Sequence, residues 1–202
     1  MKKGLLVPLC LCFLLCPFFL SKGYAIQLSS GMTVNKTLPP GGQTSGNIDI
    51  ANNGKEAETV RIYQTDYMFS ADGKNNFGPP GSVPRSNAKW IKFTPTQVTV
   101  APGEKASIFY EIAVPEISDL RGTYWSVIMV EPVPKAALEP PSAKKDKVAI
   151  GVQAVFRHAV QMITHIGDTG ERALKFASKR LENRDGKVFL VLDVENTGER
   201  WL

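Results

Sequence analysis

Between Lys105 and Val114 an apolar side chain returns at every second residue: Ala106, Ile108, Tyr110, Ile112 and Val114 alternate with Lys105, Ser107, Phe109, Glu111 and Ala113. A period of two belongs to an extended strand, whose successive side chains point to opposite faces, and a helix cannot gather such a set on one side. The same grammar covers Val98 and Val100 before a Pro102-Gly103 turn. It also covers Ile48 and Ile50 before Asn52-Asn53-Gly54, after which Val60 and Ile62 lead into Tyr63, Tyr67 and Phe69. Gly122 to Val130 reads G-T-Y-W-S-V-I-M-V, a β-branched and aromatic run suited to a central strand buried on both faces. No helical period is found between residues 26 and 167. Seven or so short strands with Gly, Pro, Asn and Asp in the breaks predict an all-β chain, specifically an immunoglobulin-like β-sandwich. Trp90, Ile108, Tyr110, Ile112, Tyr124 and Val127 are its expected core, with Trp90 inside the sandwich beside the turn at Pro95.

The N-terminus has the order of a secretory signal peptide. Lys2 and Lys3 precede an apolar run from Leu5 to Leu20, and Gly23 and Ala25 supply small side chains before a cut between Ala25 and Ile26. A membrane anchor needs ~20 apolar residues, and this run is shorter and holds Pro8 and Pro17. The expected result is an exported chain, periplasmic or else at the cell surface or secreted, with no membrane span after cleavage. Cys10, Cys12 and Cys16 all lie in the leader, and Leu14 and Leu15 ahead of Cys16 do not suit lipid attachment. The mature part therefore has neither disulfide nor thiol chemistry, and its stability must come from a packed core.

The full chain carries +5, but Lys2, Lys3 and Lys22 lie in the leader with no acid to balance them, so +2 remains. That excludes the footprint of a nucleic-acid binder. Enzyme chemistry is not expected either. His158 and His165 stand seven apart on a strand and so face opposite ways. Asp72-Gly73-Lys74-Asn75-Asn76 lacks the spacing of a calcium loop and reads as a turn. No catalytic, cofactor or metal residue is assigned.

From Pro132 to Lys147 the chain is rich in Pro and Lys, which predicts an irregular loop, and a long apolar strand is expected from Val148 to about Ile166. A first domain over 26–167 is followed by a second module, 171–202, with two strands around an Arg184-Asp185-Gly186 turn. Two strands cannot bury a core. Either this is the start of a second β domain, truncated in the sequence, or the hairpin leans on the first domain.

Several strings in order carry a resemblance: G-N-I-D-I-A-N-N-G (46–54), W-I-K-F-T-P-T-Q-V-T-V-A-P-G-E-K (90–105), A-V-P (113–115) and R-G-T-Y-W-S-V-I-M-V-E (121–131), then a loop and a long strand. Together they resemble the N-terminal domain of the periplasmic pilus-assembly chaperones, over about residues 27–196. The resemblance implies a protein that caps exported pilus or fibre subunits, with an outer-membrane usher as a further partner. It also implies that a long G strand donates alternating apolar side chains to the client by strand addition. By position those residues are Ile150, Val152, Ala154 and Phe156, with Arg157 beside them. The competing reading is that the same residues point into the protein's own core.

The family anchors a client carboxylate with an arginine on the first strand and a lysine on the G strand. Here the first strand, I-Q-L-S-S-G-M-T-V, has no arginine and the matching G-strand position is Gln161. Arg157, His158 and Lys36 are the available substitutes, though nothing in the spacing selects them. The alternative function is a passive immunoglobulin-like adhesion or structural module.

Overall fold

The computed structural model describes residues 25–70, 72–134 and 155–201. The leader, most of the Pro- and Lys-rich stretch, and Ile150, Val152 and Ala154 lie outside the described residues. Twelve strands form: β1 (Ile26–Leu28), β2 (Thr33–Leu38), β3 (Gln43–Asn52), β4 (Glu58–Phe69), β5 (Asn75–Gly78), β6 (Ile91–Thr94), β7 (Gln97–Val100), β8 (Lys105–Ala113), β9 (Gly122–Pro132), β10 (His158–Ile166), β11 (Leu174–Arg184) and β12 (Lys187–Asn196). The only helical element among the described residues is a 3-10 turn, Ala88–Trp90.

Two sheets make the sandwich. One has the order β1-β3-β8-β6, and the other β2-β10-β9-β4, with β5 and β7 paired to the two halves of β4. All neighbours are antiparallel except β2 and β10, which run parallel. The expected alternation holds along β8, where Ile108, Tyr110 and Ile112 are buried and Phe109 faces solvent. They meet Ile48 and Ile50 of β3, Val60 and Ile62 of β4, Ile128 and Val130 of β9, and Val160 and Met162 of β10 in one core. Gly46 lies opposite Tyr110 in the ladder, and a Cβ there would stand 2.5 Å from the Tyr110 hydroxyl. Only glycine leaves room for that ring.

The buried phase of β3 continues onto Asn52, which is polar because it ties a turn. Its Nδ2 donates to Val100 O at 2.9 Å and Glu56 O at 2.7 Å, and its Oδ1 accepts from Gly54 N at 2.9 Å. The Asp72-Gly73-Lys74 segment is a turn, as expected. Asp72 there accepts from Ser70 Oγ and Lys74 N, and the Lys74 side chain, followed by Ser70, lowers its pKa to about 2.

Three expectations change. The segment 26–34 is not one strand: the chain leaves the first sheet after Leu28 and joins the second at Thr33, breaking at Ser29-Ser30-Gly31-Met32. β10 starts at His158 rather than Val148, with 155–157 outside any strand and 148–154 outside the described residues. Trp90 and Tyr124 are half-buried rather than core. Trp90 sits on the 3-10 turn at the rim, packed against the core cluster with its ring 4.6 Å from that of Tyr124. Replacing Trp90 with Ala is therefore expected to cost about 2 kcal/mol, below the 3 to 5 of a fully buried tryptophan, as read from the shift of the urea midpoint.

The second module is the expected hairpin, turned by Asp185 and Gly186 at φ 51° and 74°. Positive φ at both central residues is what a tight two-residue hairpin turn requires. The face carrying Leu174, Phe176, Leu181, Val188, Leu190, Leu192 and Val194 stays exposed, so the hairpin does not lean its apolar side on the sandwich. Contact with the first domain runs through the segment after it: Thr123 N donates to Glu199 O at 2.9 Å, and the Trp201 ring lies 5.9 Å from that of Trp125.

Candidate functional site: the open half of an edge strand

β10 pairs with β9 along its whole length, from His158 opposite Val130 to Ile166 opposite Gly122. On its other side β2 covers only Gln161 to Ile166. The cover stops where the first strand breaks: Gln161 N donates to Met32 O at 2.9 Å, and upstream of Met32 the chain crosses to the other sheet, with Ser29 N bonded to Asp49 O. Because backbone groups alternate in direction along a strand, the N–H of Ala159 points the same way as that of Gln161. Among the described residues no strand stands there to receive it.

Side chains near this edge fall into two rows. Val160 and Met162 are buried in the core, and the period carries His158 to the same side, while Phe156 stands before the strand. Phe156 is 46% exposed, so it is not a core residue. Phe156 is the one donor candidate of the alternating row that is described. His158 Nε2 bonds Ile26 O at 2.9 Å, joining the start of β10 to β1 at the end of the sandwich. His165 turns to the opposite face, with its Nδ1 2.9 Å from Thr123 Oγ1. Burial, then Arg200 and Arg172, hold its pKa below the ordinary histidine value.

The other row, Arg157, Ala159 and Gln161, faces outward. Arg157 Nη1 donates to the Tyr63 hydroxyl at 3.4 Å, and Arg61 pairs with Glu131 at 3.1 Å. Burial pushes the Glu131 carboxyl up, but the Tyr63 hydroxyl and the Arg61 and Arg157 guanidiniums outweigh it and hold the group below its usual range. Arg157 is thus engaged with its own sheet. Lys36, another substitute anchor, lies opposite Thr164 in the covered half of β10 and away from the open edge.

Ala159 and Met32 were not singled out from the sequence. The signal for them is the Ser29-Ser30-Gly31 string, a turn composition inside what otherwise reads as a strand. Beside them an apolar pocket of ≈ 280 Å³ opens on the outer face of the sheet.

No protein-family profile matches the chain, and no curated protein sequence does. In fold it is similar to the ASH/PapD-like domain of human CEP192, with a TM-score of 0.46 and 12% identity over 82% of this chain and 95% of that one. It is also similar to the CsuC–CsuE chaperone–tip adhesion subunit pre-assembly complex of the archaic chaperone-usher Csu pili of Acinetobacter baumannii (TM-score 0.48, 13% identity, 87% and 73% covered). The Class 5 fimbriae chaperone CfaA gives 0.47 and 13% over 86% and 67%. At such identities the likeness describes the fold alone.

Proposed function

We propose that this protein is a periplasmic chaperone-like factor that holds exported pilus or fibre subunits by β-strand addition at the uncovered start of β10. One observation carries the reading: β2 covers the edge of β10 from Gln161 onward, and among the described residues no strand pairs with Ala159 on that side. An uncovered edge is a template for another chain, and sheet proteins ordinarily blunt such edges with charge, proline or a covering segment. From Val148 to Phe156 this chain has neither charge nor proline. An incoming strand gains main-chain hydrogen bonds from the edge and side-chain contacts from Phe156. Ile150, Val152 and Ala154 continue that row in the sequence and are proposed to extend the contact. The client class and an usher as a further partner rest on the motif resemblance, and export rests on the signal-peptide order of the N-terminus.

Ala159→Pro tests the edge. Proline removes the Ala159 N–H, which points away from β9, a loss an edge position tolerates. The probe is a fluorescent peptide of four Val-Thr repeats flanked by paired lysines, followed by anisotropy. The substitution is expected to weaken binding about tenfold or more while the melting temperature moves by a few degrees, and the Ala159 amide of the parent protein should become protected from exchange when peptide is added. If the parent protein neither binds the peptide nor gains protection at Ala159, the passive-module reading takes over.

A further inference from the structure

We infer that the pocket beside the open edge reads one side chain of the incoming strand, so that the protein selects extended segments with a large apolar or aromatic residue opposite Ala159. The inference rests on the strand-addition reading above and concerns what kind of strand is taken. On the outward face Gln161 of β10 is long and Ala159 offers a single methyl, and this gap is one wall of the pocket. Val127, 1% exposed, lines it on β9. The far wall is an aromatic pair, Tyr67 and Phe77, with ring centres 5.5 Å apart and planes inclined by 25°. A bond from the Tyr67 hydroxyl to Asn75 Oδ1 at 3.0 Å fixes that ring.

The pocket and the open edge share residues. Met32, on the pocket's rim, is 60% exposed and is also the residue whose carbonyl receives Gln161 N, where β2's cover ends. A strand that continues the pairing past Met32 lies against Ala159, and directly opposed side chains on one face stand roughly 5 Å apart. A residue there can reach over the Ala159 methyl toward Val127 and the Tyr67–Phe77 pair, with the unbranched Met32 side chain closing on it. Half-exposed Phe77 and Met32 give the pocket apolar walls that only a desolvated side chain would use fully.

The test walks a single phenylalanine through the threonine positions of the Val-Thr peptide and measures each affinity for the full chain. One register should bind at least tenfold tighter than the parent peptide. Ala159→Trp, which fills the gap, should bring the best register and the parent peptide to equal affinity, and Phe77→Ala should reduce the gain without touching β10. Equal affinities in every register, with the parent peptide bound, overturn the pocket and leave strand addition standing. So does a register preference that survives both substitutions. Absence of binding by every peptide sinks strand addition and the pocket with it. If Ala159→Trp loses its near-ultraviolet circular dichroism, the outcome is decided by Phe77→Ala.

Discussion

Asp66→Ala is expected to lower the unfolding free energy by about 3 to 5 kcal/mol, the largest stability loss of any single polar substitution in the sandwich. Asp66 is fully buried at the core side of β4. Its carboxylate accepts from Gly81 N at 3.0 Å, Ser82 N at 2.6 Å, Val83 N at 3.0 Å and Ser82 Oγ at 3.0 Å, and also from Ser86 Oγ. These donors belong to the segment that carries the chain from β5 in one sheet to β6 in the other. Truncation takes the acceptor from three backbone N–H groups of a part-buried loop, and an unsatisfied donor costs about 1 to 3 kcal/mol where water does not replace the bond. Urea denaturation with an unchanged slope is the measurement, and a loss under 1 kcal/mol would mean that the loop finds other acceptors.

The same site predicts a pH dependence. Burial pushes the Asp66 pKa up, but the bonds from Ser86, Gly81, Val83 and Ser82 together outweigh it and hold it below 3.8. A carboxylate with a depressed folded pKa contributes stability that is present above its unfolded value and is lost as pH falls through the folded one. The contribution should thus be full at neutral pH, begin to fall near 3.8 and keep falling below it. Asp66→Ala should lack this acid-side slope.

What was readable in the sequence follows the reach of each interaction. The period of β8 and the buried phase of β3 were legible because a strand's two faces impose the alternation locally, whatever the fold around them. The hairpin turn at Asp185-Gly186 was legible for a similar reason, since its positive φ angles restrict residue choice on the spot. Asp66 was not, because its partners lie 15 to 20 residues away in a loop with no period of its own. Asn87 is a parallel case: it donates to Met162 O at 2.8 Å and Thr164 Oγ1 at 3.0 Å, more than seventy positions along the chain. Trp90 misled because size and apolarity indicate the core without saying whether a residue lies at its centre or its rim. The open edge was half legible. The uncharged stretch before Arg157 pointed to it, but where the cover ends depends on β2 crossing between sheets, which only the paired register reveals.

Phe156→Asp is expected to reduce capture of the Val-Thr peptide about a hundredfold while leaving the melting temperature within a few degrees. The two halves of that expectation have separate causes. Phe156 is 46% exposed and precedes β10, so its removal opens no cavity in the core, where Val160 and Met162 end the buried row. In the bound state the ring is proposed to lie under the added strand, and an aspartate there must either keep its water or be buried unpaired. Either outcome forfeits the apolar contact, and burial of an unpaired carboxylate is the costlier one, at several kcal/mol; a hundredfold loss corresponds to about 2.7 kcal/mol, within that range. Anisotropy titrations beside thermal melts separate the cases. Unchanged affinity would remove Phe156 from the binding row and restrict the contact to the backbone edge at Ala159. A melting temperature lowered by ten degrees or more would place the ring in the protein's own packing, and the row of donor residues would then have to begin upstream of it.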